Sequence, residues 1–192
     1  MLRTLADCAA LREGLRCARS VLVVGAGLLG MEIASTCRTL GLEVTVVDRD
    51  PPLRRVLGPV LAEVIASAAP EHGVVLRTVP CGVRLVGTHT LEGVDADGYV
   101  LTADVIVSAV GDLPAVDRLT GSGLTLDRGV VTDSRDRVAD GIAAAGDAAV
   151  VRGTCHRPHW TNAVEQARVN RIWSMSTAAP CFCAGRAARR RR

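Results

Sequence analysis

Gly25, Gly27 and Gly30 sit in the stretch VLVVGAGLLGMEIA, residues 21–34, at the spacing G-x-G-x-x-G. A β-branched apolar run precedes them and an apolar-periodic segment follows. Asp48 closes the next β-branched run, EVTVV. Three glycines alone are a weak signal, but strand, turn, helix and later acid together form the dinucleotide-binding pattern. The chemistry belongs mainly to the backbone. Gly25 permits a tight turn, Gly27 lets a pyrophosphate approach the main chain, and Gly30 lets the helix pack closely on the strand. Peptide groups from Gly25 through Ala26, Gly27, Leu28 and Leu29 to Gly30 face the phosphates at the positive end of a helix. Asp48 would accept the ribose hydroxyls, which favours NAD(H) because a 2′-phosphate would meet a carboxylate. Arg49, Arg54 and Arg55 follow closely. They offer a partner for that phosphate, so NADP(H) stays as the alternative, and so does a plain exposed helix start.

These residues need a scaffold, and the sequence lays one out. RTLADCAALREGL has Leu5, Leu11 and Leu15 at helical spacing among charges, which predicts a short amphipathic helix. SVLVV reads as a strand buried on both faces of a parallel sheet. The helix after the glycines runs to Leu40 and stops at Gly41. Pro51 and Pro52 open a further helix toward Ala69, interrupted or kinked at Gly58-Pro59. GVVLRTV is a third strand. GVRLVG, THTLEGV and GYVLTA then predict an antiparallel meander, inserted before the buried strand ADVIVSAVG. Beyond Pro114 come a short helix near Val116–Leu119, strands at LTL and GVVT, an apolar strand entering Gly146-Asp147, and a helix over 161–172. The fold class is α/β: a Rossmann-like parallel sheet with an inserted meander, a partial second segment, and a disordered Arg-rich tail.

Composition excludes several function classes. The chain has 192 residues and a formal charge of +3. Five Arg lie between Arg186 and Arg192, so the remainder carries −2. Basic residues are not spread over a folded face, which argues against a nucleic-acid partner. The run from Val21 to Met31 is too short to span a bilayer, and no signal peptide is visible, so a cytoplasmic protein without a membrane partner is expected. The seven Cys form no C-x-x-C pair, which removes zinc ribbons and dithiol redox motifs. Cys155, His156 and His159 are close in sequence, but no remote cluster completes a metal site. The same holds for Cys181 and Cys183. No metal and no proton-transfer triad are expected.

With these motifs in order, the chain resembles the FAD-dependent pyridine-nucleotide oxidoreductases, in the ferredoxin and rubredoxin reductase type. LRTLADCAALREGL is similar to the family's entry into its NAD domain, and VLVVGAGLLGMEIA to its NAD fingerprint, including Glu32. ADVIVSAVGDLP is similar to the end of that domain, GIAAAGDAA to the second flavin motif, and HWTNAVEQARVN to the helix beside the flavin. The resemblance implies an NAD-binding domain over 1–113, a partial FAD-binding segment over 114–173 and a tail over 174–192. It implies Glu32 and Gly111 near the nicotinamide, and Asp147, after Gly146, on the ribityl chain of FAD with Trp160 nearby. It implies hydride transfer from NADH to flavin and then single electrons to a ferredoxin-like iron–sulfur protein. The cofactors carry that chemistry, so no catalytic side chain is expected.

Each of these residues also has a plainer reading. Glu32 is a carboxylate where a helix dipole favours one, Gly146-Asp147 is a turn pair, and Trp160 is packing. The family carries two glycine fingerprints, and this sequence carries the second only. The expectation is the middle of a reductase, a truncated or frameshifted product. FAD would then be weakly held and a flavin-side face exposed to self-association. The alternative is a non-catalytic NAD-binding module or a decayed remnant.

Overall fold

The computed structural model describes residues 4–154 and 158–169, and the backbone alone of 182–183 and 186–187. The chain divides into two compact units, Met1–Gly111 and Asp112–Arg192.

The first unit opens with α1 (Leu5–Cys17), β1 (Ser20–Val24), α2 (Leu28–Thr39), β2 (Glu43–Asp48), α3 (Arg54–Ala68) and β3 (Val74–Thr78). A meander of β4 (Val83–Val86), β5 (Gly93–Ala96) and β6 (Tyr99–Leu101) precedes β7 (Val105–Ser108). The parallel sheet has the order β3-β2-β1-β7, and the meander is a separate antiparallel sheet, β4-β5-β6. Alternation along β1 sends its side chains to two different cores. Val21 and Val23 join Ala34, Cys37, Val44 and Val46, with Leu11, Leu15 and Ile33 packed against them from α1 and α2. Leu22 and Val24 join Val47 and Val94, with Val83 and Leu101 from the meander. The meander thus covers the face that the helices leave open, which explains why a buried strand can be apolar at every position. Each such side chain contributes roughly 1.5–3 kcal/mol on burial.

Local chemistry sets the ends of these elements. Thr4 caps α1 in a reciprocal box: its hydroxyl accepts from the Asp7 N–H, and the Asp7 carboxylate accepts from the Thr4 N–H. At the base of the sheet, Asp104 Oδ2 accepts from the N–H groups of Arg19 (2.8 Å) and Ser20 (3.0 Å) and from the Ser20 hydroxyl. This clamp ties the start of β1 to the start of β7. One expectation needs correction. Pro51 and Pro52 do not open α3, because Leu53 adopts a left-handed conformation (φ 58°) and the helix starts at Arg54. The helix is interrupted where Gly58-Pro59 predicted it, with Gly58 at φ 79° and ψ 174°.

The second unit holds a 3₁₀ turn at Asp117–Leu119, β8 (Val130–Thr132), β9 (Arg137–Ala139), β10 (Ile142–Ala145), a 3₁₀ turn at Gly146–Ala148, β11 (Ala149–Val151) and α4 (Trp160–Val169). β8 pairs in parallel with β11, and β9 pairs antiparallel with β10. Val130, Ala144 and Ala149 form its core, with Leu119, Leu126 and Val138 against them. LTL is not a strand and makes only a single bridge, Leu126 to Val130. β9 and β11 are too short to give a pattern in the sequence. The end of the expected helix over 161–172 falls partly outside the described residues, as do Cys155, His156, Cys181 and most of the tail. Of that tail, the backbone is described at four positions. The backbone of β12 (Phe182–Cys183) pairs in parallel with β10, and that of β13 (Arg186–Ala187) pairs antiparallel with β12. An open strand edge is a template for such pairing. No helix among the described residues is long and apolar enough to cross a membrane.

Candidate functional site

Two glycine-centred turns, one in each unit, hold the residues singled out from the sequence. In the first, between β1 and α2, the three glycines have different physical causes. Gly25 has φ 108°, which disfavours any side chain, and a Cβ there would strike the carbonyl oxygen of Ala109 beyond β7. At Gly30 a Cβ would run into the carbonyl oxygen of Gly25, so the close packing of α2 on the loop requires glycine. Gly27 is otherwise. Its φ is −74°, open to any residue, and a Cβ would meet nothing within 4 Å. Neither strain nor packing accounts for glycine there. An open cradle over the main chain is what a close-lying pyrophosphate needs, and by that test the loop fits a dinucleotide.

The helix end matches this cradle. Gly27 is the N-cap of α2 without a side-chain capping bond, and the first intrahelical bond is donated by Met31 to the Gly27 carbonyl. The peptide N–H groups of Leu28, Leu29 and Gly30 therefore have no partner within the helix. Leu28 is half-buried and Leu29 exposed.

Asp48 belongs to this loop. Its Oδ2 accepts from the Ala26 N–H at 2.5 Å, and its Oδ1 from the N–H groups of Arg49 (2.6 Å) and Asp50 (3.3 Å). The carboxylate thus joins the ends of β1 and β2 while staying only half-buried. The Ala26 carbonyl also accepts from the Leu53 N–H at 2.8 Å, which folds residues 49–53 back onto the glycine loop. Arg49 and Arg54 are exposed. Arg55 is engaged, with Nε and Nη2 at 2.9 and 2.8 Å from Asp50 Oδ2. Glu32 is exposed on α2, one turn into the helix. Gly111, after β7, has φ 142° and open space around it.

The second turn, Gly146–Ala148, follows β10. Gly146 is buried with φ 75°, and a Cβ there would lie 3.3 Å from Ala163 Cβ on α4. Its N–H donates to Gln166 Oε1 at 2.8 Å, and Gln166 Nε2 donates to Asp136 Oδ1 at 3.0 Å. Gln166 and Asp136 are 8% and 6% exposed, two of three buried polar residues among those described. Asp147, next in the turn, is exposed. Trp160, the first residue of α4, is 79% exposed and is not core packing. His159 Nδ1 accepts from the Thr161 N–H.

The sequence reading missed Gln166 and Asp136. A signal existed for Gln166, a polar residue on the face of α4 that also carries Ala163 and Ala167. Asp136, in a run of turn formers, carried none.

A family model described as pyridine nucleotide-disulphide oxidoreductase matches residues 1–167. Rhodocoxin reductase of Rhodococcus erythropolis is 34% identical over 177 residues, covering 87% of this chain and 41% of its own. Rubredoxin-NAD(+) reductase of Pseudomonas putida is 33% identical over 190 residues, 93% of this chain and 49% of its own. Among solved structures, a ferredoxin reductase of Rhodopseudomonas palustris superimposes with a TM-score of 0.73 at 30% identity, covering 92% of this chain and 46% of that one. Putidaredoxin reductase in its covalent complex with putidaredoxin gives 0.71 at 29% identity, over 88% and 43%. The chain spans less than half the length of these relatives.

Proposed function

The chain belongs to the pyridine nucleotide-disulphide oxidoreductase family, in its ferredoxin-reductase type, and on that premise we propose that it serves NADH-dependent, FAD-mediated reduction of an iron–sulfur protein. The observation that carries the reading is the cradle at Gly27, where a Cβ would meet nothing while Gly25 and Gly30 are held by their own backbone neighbours.

The dinucleotide and the flavin, when bound, supply hydride transfer and its conversion to single electrons. The chain's own residues bind and orient. The N–H groups of Leu28, Leu29 and Gly30 present partial positive charge to a pyrophosphate. Asp48 accepts ribose hydroxyls and repels a 2′-phosphate. Arg55 is neutralised by Asp50, which supports NAD(H) over NADP(H). Glu32 and Gly111 line the approach to the nicotinamide. Asp147 offers an exposed carboxylate to the ribityl hydroxyls of FAD, with Trp160 beside the ring system. We assign the NAD-binding part to 1–113 and the flavin-facing part to 114–173. The electron acceptor is of the kind named in the relatives, a ferredoxin or rubredoxin.

Titration with NADH, followed by the visible spectrum and reduction of an artificial acceptor, tests this. A chain that enhances NADH fluorescence, carries flavin absorbance and turns over fits the reading. A colourless chain that binds NADH sinks the reductase and leaves a nucleotide-binding module. A chain that ignores NADH sinks both.

A further inference from the structure

Among the described residues, the second unit contains a buried polar relay with no counterpart in the first. Asp136, Gln166 and Gly146 lie 20 and 30 residues apart in sequence, yet they bond in series: Gly146 N–H to Gln166 Oε1, and Gln166 Nε2 to Asp136 Oδ1. The polarity of this chain is fixed. A carboxylate oxygen only accepts, so Asp136 compels the amide nitrogen of Gln166 to face it. The amide oxygen is then left for the Gly146 N–H. A Gln without that carboxylate has two amide orientations, and only one accepts from Gly146.

The relay's position gives it consequence. Gly146 holds a left-handed backbone (φ 75°) and leads directly into Asp147. A Cβ at Gly146 would crowd Ala163 Cβ at 3.3 Å. Asp136 is itself left-handed (φ 57°) and anchored by its backbone. Its N–H donates to the Asp133 carbonyl and its carbonyl accepts from the Ala144 N–H in β10. The carboxylate that orients Gln166 is therefore fixed to the same strand that ends in Gly146. Strand, turn and α4 are joined through one side chain.

We propose that Gln166 is a positioning residue for Asp147, with Asp136 setting the orientation of its amide, so that the turn presents the Asp147 carboxylate to the polyol of a bound flavin. This rests on the reading of Asp147 as a flavin-holding residue. Gln166 does not touch the flavin; it acts through the Gly146 peptide.

The test uses the full 192-residue chain, free FAD as probe and four proteins: parent, Gln166→Leu, Gln166→Glu, and the double variant Gln166→Glu with Asp136→Asn. Leu keeps the volume and removes both hydrogen bonds. Glu keeps the acceptor for Gly146 but sets two carboxylates face to face. The double variant restores the relay with its second bond reversed, since the side-chain amide introduced by Asp136→Asn donates where the carboxylate accepted. The readouts are FAD affinity by fluorescence quenching and exchange of the Gly146 amide hydrogen, which needs no flavin. The expected result is a tenfold or greater loss of FAD affinity and faster Gly146 exchange in both single variants, with both recovered in the double variant. Equal FAD affinity in parent and Gln166→Leu overturns this inference and leaves the flavin reading standing. Failure of the double variant to recover overturns the polarity argument that defines it. A parent chain with no FAD affinity overturns the flavin reading, and this inference with it.

Discussion

The loop at Gly25–Gly30 and the turn at Gly146–Asp147 solve one problem by different means. Each must hold a glycine in a left-handed conformation at the end of a buried strand, beside a helix. The first is shaped by main chain: the carbonyls of Ala109 and Gly25 exclude side chains, and Asp48 closes the loop through peptide N–H groups. The second is held by two buried side chains, Gln166 and Asp136. A turn that backbone crowding restricts to glycine announces itself as a spacing of glycines. A turn held by buried side chains leaves no such local trace.

The sharpest break of this comparison lies within the first loop. Gly30→Ala drives a Cβ into the Gly25 carbonyl oxygen, and α2 must move off β1. The helix-propensity gain of about 1 kcal/mol is outweighed by overpacking, and a net loss of about 3 kcal/mol or more is expected in thermal unfolding. Gly27→Ala changes a glycine of the same motif with opposite consequences. Its Cβ meets no protein atom, so stability stays within about 1 kcal/mol, the range of an N-cap change from Gly to Ala. NADH affinity falls at least tenfold, about 1.4 kcal/mol. If Gly27→Ala unfolds the chain or leaves NADH affinity intact, the distinction between structural and ligand-facing glycines is wrong.

Asp48→Ala comes next. Three N–H groups, on Ala26, Arg49 and Asp50, lose their acceptor. Water reaches this half-buried site, so a loss of about 2 kcal/mol is expected rather than the full cost of burial, along with weaker NADH binding. Asp48→Asn keeps one acceptor oxygen, so it should lose less stability and relax the discrimination against NADPH. Urea unfolding and nucleotide titration separate these outcomes.

What was legible in the sequence follows the same division. The parallel sheet, the meander and the helix after the glycines were readable because β-branched runs, turn residues and apolar spacing are local. α3 was misjudged at its start because two prolines, good first-turn residues, were followed by a left-handed Leu53 that nothing in its residue type foretells. Strands β9 and β11, of three residues each, exist through pairing with β10 and β8, and pairing partners are not written in the strand itself. Asp48 was singled out as a candidate ligand residue by its place after a strand, but its hold on the Ala26 N–H joins positions 22 apart, and spacing alone does not disclose that. Gln166 was visible only as an oddity on a buried helix face.

In the second turn, Gln166→Leu removes the acceptor for a buried N–H and the donor for a buried carboxylate, while the added methyl groups recover some apolar burial. A net loss of about 1–2 kcal/mol is expected in denaturant unfolding. That is below the effect of Gly30→Ala because side chains relax where backbone cannot. A larger loss would mean that the second unit depends on this relay for folding, not only for the shape of its turn.

Asp104 gives the smallest effect and the finest discrimination, because it too joins remote segments but does so in water. Its carboxyl lies below the usual carboxylate range, chiefly through the bond from the Arg19 N–H, then those from the Ser20 N–H and hydroxyl. A carboxyl whose folded value is depressed binds protons more readily when the chain is unfolded. Its contribution is therefore fully present above the ordinary aspartate value of about 3.9 and disappears as pH falls through the lower folded value. Asp104→Asn should lower stability near neutral pH slightly, since an amide oxygen still accepts from the Arg19 and Ser20 peptides but without the charge that strengthens those bonds. It should flatten the acid limb below about pH 4 without abolishing it, because Asp95 and Asp133 are depressed in the same direction by Arg84 and by the Arg137 N–H. Circular dichroism of parent and variant between about pH 2 and 5 reads the difference. An unchanged acid limb would show that an exposed clamp across 85 residues adds nothing to the sheet. Burial, and not reach along the sequence, would then be what gives the Gln166 relay its hold.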